Sequence, residues 1–225
     1  MRLPQPGDYI DIHTHSGSEI PGVFFIENLM AHEGVTPADC EKRLCTFGIH
    51  PWYLNETNSN HLLSKVNSAA GFTNMIAIGE AGYDKLRGAS RELQGKIFEA
   101  QIEISEKVRK PVVVHCVRAW EELLSSHKKL KPVMPWLIHG FRGSTGLAQQ
   151  LLSKGMYLSF WFDFVIRPES AGLLKSLPKD RIFLETDGAD IDIKEIYEKV
   201  ASDFEITVEE LKSIVLKNFN YFFKL

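Results

Sequence analysis

Six residues of metal-binding type stand at the ends of five apolar runs that are typical of β-strands. They are His13, His15, Glu80, His115, His139 and Asp187, and their runs read YIDIHTH, MIAIGEAGYD, PVVVHC, PWLIHGF and RIFLETD. Imidazole and carboxylate groups are common protein ligands of divalent metals. Because catalytic groups of a parallel barrel gather at the carboxyl ends of its strands, this pattern predicts a metal centre there.

The number of candidate ligands indicates more than one cation. Side chains two residues apart share one face of a strand, so Asp11, His13 and His15 are expected to point the same way. Four imidazoles and two carboxylates exceed the positions of an ordinary tetrahedral site. They suit two cations that share a carboxylate, about 3.5–4 Å apart in such sites. We therefore expect a metal-bound hydroxide as the nucleophile, with Asp187 either accepting a proton or acting only as a ligand.

Strand-like runs alternate with segments of helical periodicity along the chain. The predicted strands cover residues 8–15, 22–28, 45–50, 75–81, 111–116, 135–140, 156–162 and 181–186. The predicted helices cover residues 58–70, 90–109, 118–130, 144–154, 168–177, 192–203 and 207–223, the last with Thr207 and Glu210 as a capping box. This alternation predicts an α/β fold with a parallel sheet, and eight strands favour a TIM-type (β/α)8 barrel. Only a short loop, 16–21, joins the first two strands, so we expect the barrel to be abridged there.

The length, charge and cysteine content of the chain limit the classes of protein to which it can belong. A chain of 225 residues suits a single domain, 1–225. The net charge of -3 indicates no broadly basic surface, so a nucleic acid would have to be held by local cations. Three scattered cysteines without a C-x-x-C pair are typical of a reducing cytoplasm. No apolar run reaches the length of a membrane span, and no protein partner is evident from the sequence.

Seven segments of the chain resemble, in order, the motifs of the TatD family of metal-dependent hydrolases, within the amidohydrolase superfamily. They are DIHTH, GIHPW, GEAGYDK, PVVVHC, IHGFRGS, MYLSF and DRIFLETD. The resemblance implies two metals, with Glu80 bridging them and acting in catalysis together with Asp187. It implies that His13, His15, Glu80 and Asp187 surround one metal, and that Glu80, His115 and His139 surround the other. It also implies hydrolysis of phosphodiesters at the ends of DNA or RNA, as in a deoxyribonuclease.

Three further residues are candidates near the metals. Asp11 is interpreted as a partner that fixes an imidazole, or as a buried structural carboxylate. His50 either contacts a substrate oxygen or packs in its loop, and Arg142 either holds a phosphate or is a solvated surface charge. The chain departs from the family pattern at Trp52, where the usual motif has a second histidine. It also departs after Asp187, where GADID leads almost directly into the terminal helices.

The metal and the substrate stay open at this point. The imidazole-rich ligand set favours two divalent ions of Zn or Mn per chain, with Mg possible. The substrate is expected to be a nucleic-acid end or a small phospho- or acyl ester. One alternative is a hydrolase of a small ester, amide or aminoacyl ester on the same scaffold. Another is a non-catalytic metal-binding protein, against which the carboxylate of Asp187 argues.

Overall fold

The structure is a computed structural model, and it describes residues 2–15, 17, 19–32 and 34–224. Two residues of the predicted loop 16–21, Ser16 and Ser18, lie outside this described part. Within the described residues, no helix combines the length and the apolar composition needed to cross a bilayer.

Each of the eight predicted strands is present, with bounds that differ by a few residues at most. They are β1 Tyr9–Thr14, β2 Val23–Met30, β3 Cys45–Gly48, β4 Met75–Asp84, β5 Val112–Val117, β6 Trp136–Ile138, β7 Tyr157–Phe160 and β8 Ile182–Leu184. They belong to one sheet in chain order from β1 to β8, and the described pairings are parallel. The predicted TIM-type (β/α)8 barrel is confirmed as the fold class.

The predicted helices are present as well. The α-helices are α1 Ser59–Ala69, α2 Arg91–Val108, α3 Trp120–Leu130, α4 Thr145–Leu152, α5 Phe162–Val165, α6 Pro168–Lys175, α7 Ile193–Phe204 and α8 Val208–Phe223. The predicted capping box is confirmed, since Thr207 Oγ1 accepts from the Glu210 N–H at 3.1 Å and Glu210 Oε2 accepts from the Thr207 N–H at 2.7 Å. Both bonds satisfy donors at the first turn of α8.

The short helix α5 was not predicted. The sequence assigned residues 156–162 to a strand because aromatic residues favour strands, but β7 ends at Phe160. The side chain of Arg167 donates from Nε to the Asp163 carbonyl at 2.8 Å and from Nη2 to the Asp163 carboxylate at 2.7 Å. These bonds hold the helical turn that follows β7.

The expected irregularity near the first strands is confirmed for the described residues. No helix stands between β1 and β2, and the β1–β2 register shifts between Asp11 and Thr14. Between β2 and β3 there is a single 3-10 turn, Pro37–Glu41, in place of an α-helix. The first complete crossover helix is α1, which lies between β3 and β4.

The chain divides into two compact units. The first combines the chain up to Glu27 with the chain from Ile138 onwards, and the second spans Asn28–Leu137. In the first unit, the buried hydroxyl of Tyr197 accepts from the Ile10 N–H at 3.0 Å and donates to the Ile10 carbonyl at 3.1 Å, which joins α7 to β1. That the whole chain is one domain stays a prediction.

In the second unit, α2 packs against β4. Its buried face carries Leu93, Ile97, Phe98 and Ile102, at helical spacing. The N-cap of this helix is Ser90, whose hydroxyl accepts from the Leu93 N–H at 3.2 Å. The apolar stripe therefore fixes α2 against the strand that carries Glu80.

Candidate metal centres

The first group of possible ligands lies in the first unit. His13 Nε2 lies 3.6 Å from Asp187 Oδ1, and His15 Nε2 lies 3.4 Å from the same oxygen. Ligand atoms that share one zinc ion at about 2.0–2.1 Å with tetrahedral angles stand about 3.3 Å apart. The spacing of these atoms therefore fits a common cation.

The backbone brings these residues together at the ends of β1 and β8. The N–H of Asp187 donates to the His13 carbonyl at 3.1 Å, although the two residues are distant in sequence. Asp187 has a positive φ of 52°, a conformation that Asp tolerates better than most residues. Gly188 follows with φ 74°, and a Cβ added there would lie 3.1 Å from the His15 Cβ. This turn aims the Asp187 carboxylate at the two imidazoles.

Asp11 lies behind His13 and holds the backbone of this corner. Its carboxylate accepts from the Thr186 N–H at 3.0 Å, from the Thr186 hydroxyl at 2.6 Å and, weakly, from the His13 N–H at 3.4 Å. Burial raises the pKa of Asp11 to about 7, although the Thr186 hydrogen bonds act to lower it. Among the described residues, Asp11 thus holds the backbone beside two candidate ligands, at His13 itself and at Thr186, which precedes Asp187.

His139 belongs to the same unit, and its ring centroid lies 4.5 Å from that of His13. Behind it lies the fully buried Glu185, whose Oε1 is 3.5 Å from His139 Nδ1. The same carboxylate accepts from the Gly140 N–H and from the Ser159 hydroxyl, each at 2.6 Å. Glu185 therefore ties the end of β6 to β7 and β8 around this imidazole.

The second group lies in the second unit and is buried. His115 Nδ1 lies 2.7 Å from Glu80 Oε1, and His50 Nε2 lies 3.2 Å from both of these atoms. Glu80 lies on β4 and His115 on the neighbouring strand β5, whose register pairs Gly82 with His115. Adjacent parallel strands thus place a carboxylate and an imidazole close enough to share a cation.

His50 differs from His115 in its hydrogen-bonding role. Its Nδ1 accepts from the backbone N–H of Trp52 at 3.1 Å. A neutral imidazole has one donor and one acceptor nitrogen, so the proton of His50 is on Nε2, which faces Glu80. A protonated nitrogen donates and cannot bind a metal. The geometry therefore suits His50 better as a hydrogen-bond donor than as a third ligand.

Asn28 fixes the position of Glu80. Its Oδ1 accepts from the Glu80 N–H at 3.0 Å and from the Thr46 hydroxyl at 2.7 Å, while its Nδ2 donates to Glu80 Oε2 at 3.3 Å. All three residues are buried. One amide thus orients both the backbone and the carboxylate of Glu80, so that Oε1 is directed to His115.

Asp84 lies on the other side of His115. His115 Nε2 is 3.2 Å from Asp84 Oδ2, and the indole Nε1–H of Trp52 donates to the same oxygen at 2.6 Å. Burial opposes ionisation of Asp84, but hydrogen bonds from His115 and Trp52 outweigh it and hold the pKa of this carboxyl at about 2. An ionised carboxylate only accepts, so Asp84 takes the Nε2–H of His115 when Nδ1, which faces Glu80 Oε1, binds a metal.

Arg142 lies in the first unit, beyond β6. Its guanidinium carbon is 5.4 Å from the centroid of the Trp161 ring, and Nη1 lies 3.8 Å from Asp163 Oδ2. The side chain is half exposed. Arg142 is therefore accessible, but it already faces a carboxylate of its own chain.

The clustered imidazole and carboxylate groups are of the kinds that bind divalent metals in metalloenzymes. A comparison with protein families agrees with this interpretation. The family described as TatD related DNase matches residues 36–224. The chain belongs to the TatD family. This confirms the predicted family and the predicted class of metal-dependent hydrolase.

Several TatD relatives share sequence with this chain. An uncharacterized metal-dependent hydrolase of Bacillus subtilis is 26% identical over 72% of this chain and 71% of its own length. A 3'-5' ssDNA/RNA exonuclease of Erwinia tasmaniensis is 33% identical over 63% of this chain and 56% of its own length. A human 3'-5' RNA nuclease is 33% identical over 63% of this chain, which spans 19% of the human protein.

Solved structures agree with the fold. A TatD homologue from Escherichia coli superposes with a TM-score of 0.83 at 20% identity, covering 98% of this chain and 100% of the other. A TatD-family hydrolase from Entamoeba histolytica gives a TM-score of 0.76 at 18% identity, over 96% of this chain and 97% of the other. At such identity these likenesses support the barrel alone.

Sequence reasoning missed the residues that hold the candidate ligands in place. Glu185 lies in the same ETD motif as Asp187 and two residues before it, a spacing that could have indicated a second inward carboxylate. Asp84 ends the GEAGYD run, four residues after Glu80. Asn28 gave no signal in the sequence, because its contact with Glu80 depends on the pairing of distant strands.

Proposed function

We propose that the chain is a metal-dependent nuclease that hydrolyses phosphodiester bonds at the end of a nucleic acid, using two divalent cations. The observation that carries this proposal is the pair of ligand groups, one around Asp187 with two imidazoles and one around Glu80 with His115. The Erwinia relative is named a 3'-5' ssDNA/RNA exonuclease and the human relative a 3'-5' RNA nuclease, which supports the choice of substrate.

The proposed ligands are those that the sequence indicated. His13, His15 and Asp187 would hold one cation, since their ligand atoms lie within 4.8 Å of one another. Glu80, His115 and His139 would hold the other, and Glu80 would serve both. Support for the second cation comes from the 2.7 Å separation of Glu80 and His115 and from the carboxylate behind His115.

When bound, the cations supply an activated water and polarise the phosphoryl oxygen of the substrate. Asp187 is the proposed proton acceptor, because its carboxylate is a quarter exposed while the His13 beside it is fully buried. His50 is the proposed donor to a substrate oxygen, since its Nε2 carries a proton and lies beside Glu80. Arg142 is the proposed phosphate contact, and its guanidinium would leave the Asp163 carboxylate to bind a phosphate of the substrate.

Zinc and manganese are the proposed metals, with magnesium as a further possibility. Imidazole nitrogens are favourable ligands for zinc and manganese, whereas magnesium prefers oxygen. We further propose a cytoplasmic location. Cys40, Cys45 and Cys116 form no disulfide in the described part of the chain, which suits a reducing compartment.

A second candidate is hydrolysis of a small ester, amide or aminoacyl ester on the same scaffold. The observation that favours it is the short segment after Asp187, where only five residues precede α7 and two of them, Asp190 and Asp192, are acidic. An acidic segment beside the metal ligands repels a polyanion and leaves little chain to contact a long substrate.

A substrate screen decides between these candidates. Metal-loaded protein is incubated with single-stranded DNA and RNA labelled at either end, and in parallel with a panel of small esters and amides. The nuclease proposal expects shortening from one end that is lost in Asp187→Asn and kept in Asp190→Asn, an exposed neighbour of the same charge. Turnover of small esters without shortening of nucleic acid would overturn it.

A further inference from the structure

Trp52, where the chain departs from the TatD motif, lies against both His50 and His115, the buried histidines of the second unit. It lies in the 3-10 turn Pro51–Tyr53, directly after His50. Its backbone N–H donates to His50 Nδ1 at 3.1 Å, and its indole Nε1–H donates to Asp84 Oδ2 at 2.6 Å. The indole ring also meets the His115 ring edge to face, with centroids 5.8 Å apart.

The carboxylate of Asp84 is held at both oxygens. Oδ1 accepts from the N–H groups of Leu86 and Arg87, at 2.7 Å and 3.1 Å. Oδ2 accepts from Trp52 and lies 3.2 Å from His115 Nε2. The loop after β4 therefore fixes one oxygen and Trp52 fixes the other, so Asp84 has little freedom to turn away from His115.

A histidine that binds a metal through one nitrogen commonly donates its other N–H to a carboxylate, which sets the ring orientation and raises its basicity. His115 has this arrangement, with Nε2 on Asp84 and Nδ1 facing Glu80 Oε1 at 2.7 Å. The indole N–H is the strongest donor contact to the shared Oδ2, judged by its length. Its loss would let the carboxylate rotate and the imidazole with it.

We propose that Trp52 is a positioning residue for the metal centre: its indole N–H fixes Asp84, and Asp84 holds His115 with Nδ1 directed at the cation. This inference rests on the proposed function, because it assumes that His115 is a ligand. It predicts that a residue which touches no metal sets the affinity for one of them.

Trp52→Phe tests the proposal, since it removes the N–H and keeps an aromatic ring. Trp52 is 40% exposed, so the exchange leaves the buried core intact. Arg87→Gln is the matched control, because the Arg87 guanidinium covers the Trp52 ring at 4.8 Å while the Arg87 backbone N–H stays in place. The two variants separate the hydrogen bond to Asp84 from stacking on the indole.

Affinity for Zn²⁺ is measured on the full chain by competition with a chromophoric chelator, and the His115 ring nitrogens are observed by ¹⁵N NMR in the zinc-loaded protein. We expect Asp84→Ala to lose roughly 10- to 100-fold in affinity, as for other groups behind ligands. We expect Trp52→Phe to lose several-fold and to shift the His115 Nε2 resonance. Arg87→Gln is expected to bind zinc as the wild type does.

Wild-type affinity and an unchanged His115 spectrum in Trp52→Phe would overturn the inference and leave the proposed function standing. Equal losses in Trp52→Phe and Arg87→Gln would also overturn it, because stacking would then explain the effect. A wild-type chain that binds no Zn²⁺, Mn²⁺ or Mg²⁺ would defeat both the inference and the proposed function.

Discussion

Thr186 donates both its backbone N–H and its hydroxyl to the carboxylate of Asp11, at 3.0 Å and 2.6 Å. These bonds join the end of β8 to β1, two strands that come from opposite ends of the chain. They place Asp187 beside His13, because each of these candidate ligands is a near neighbour in sequence of one member of the pair. The first group of candidate ligands therefore depends on a hydrogen-bonded contact between two residues, Asp11 and Thr186, that lie outside the group.

Thr186→Val is expected to destabilise the protein by about 1–3 kcal/mol, because it leaves the buried Asp11 without its hydroxyl donor and keeps the side-chain volume. Chemical denaturation in urea measures the free energy of unfolding. Thr186→Ser retains the hydroxyl and is expected to stay much closer to the wild type. Equal stability of the valine and serine variants would show that the hydroxyl contributes nothing.

Glu185→Ala is expected to cost about 3 kcal/mol, because it leaves the half-buried Gly140 N–H and the buried Ser159 hydroxyl without their acceptor and opens a cavity. Thermal unfolding followed by circular dichroism measures the loss. Glu205→Ala is the comparison variant, since Glu205 is 77% exposed and pairs with the half-exposed Lys175. A similar melting temperature for both variants would contradict the structural role of Glu185.

Gly188→Ala is expected to weaken both folding and metal binding. The new Cβ would stand 3.1 Å from the His15 Cβ, and a positive φ costs a non-glycine residue about 1–2 kcal/mol. Gly146→Ala serves as the control, because Gly146 lies in α4 with open space around it and alanine favours helices by up to about 1 kcal/mol. Titration with zinc and urea unfolding are applied to both variants. Wild-type zinc affinity in Gly188→Ala would show that His15 tolerates the shift.

His32 is expected to make stability depend on pH. Burial, together with the nearby His50 and Lys65, lowers its pKa from 6.5 to about 4 in the folded state. The unfolded chain then binds more protons than the folded chain between these values, so stability rises as pH increases from about 4 to 6.5 and levels off above.

His32→Phe keeps a ring to stack on Tyr53, where the centroids are 3.4 Å apart, and removes the titrating group. Urea unfolding across this pH range, with a chelator present, is expected to show a shallower slope for the variant. Above about pH 7 the His32 imidazole is neutral in both the folded and the unfolded chain. The difference in free energy of unfolding between wild type and variant should therefore no longer change with pH. Equal slopes of stability against pH in the two proteins below about pH 7 would rule out His32 as the source of the pH dependence.

The order and type of the elements followed from local signals. Alternating strand and helix periods, together with caps such as Thr207, predicted the barrel and most boundaries. The helix at Phe162–Val165 was missed because an aromatic run reads equally well as a strand. The six candidate ligands were found because each directly ends or follows an apolar run, and that signal is also local.

The supporting residues required knowledge of distances between strands. Asn28 and Glu80 are 52 positions apart, and His139 and Glu185 are nearly as distant, so no spacing in the sequence relates them. His50 shows the same limit, since its role follows from which nitrogen accepts the Trp52 N–H. Such details depend on register and tautomer, which a residue pattern does not contain.

The helix α2 carries two buried glutamines, Gln94 and Gln101, two turns apart on one face. Gln94 accepts from the Asp84 N–H at 2.8 Å and donates to the carbonyls of Asp84, Arg87 and Ala89. Gln101 accepts from the Ile49 N–H at 2.7 Å and donates to the Ile49 carbonyl at 3.3 Å.

Each glutamine holds the backbone beside a site residue, Asp84 in one case and His50 in the other. These hydrogen bonds make α2 a rigid support for the segments that follow β3 and β4. Without them, both segments would sample many conformations. Their chain entropy is therefore lost when the protein folds rather than when a metal or substrate arrives. Substitution of Gln94 or Gln101 is therefore expected to weaken the binding of metal or substrate. The two loops would then have to become ordered each time a metal or substrate binds.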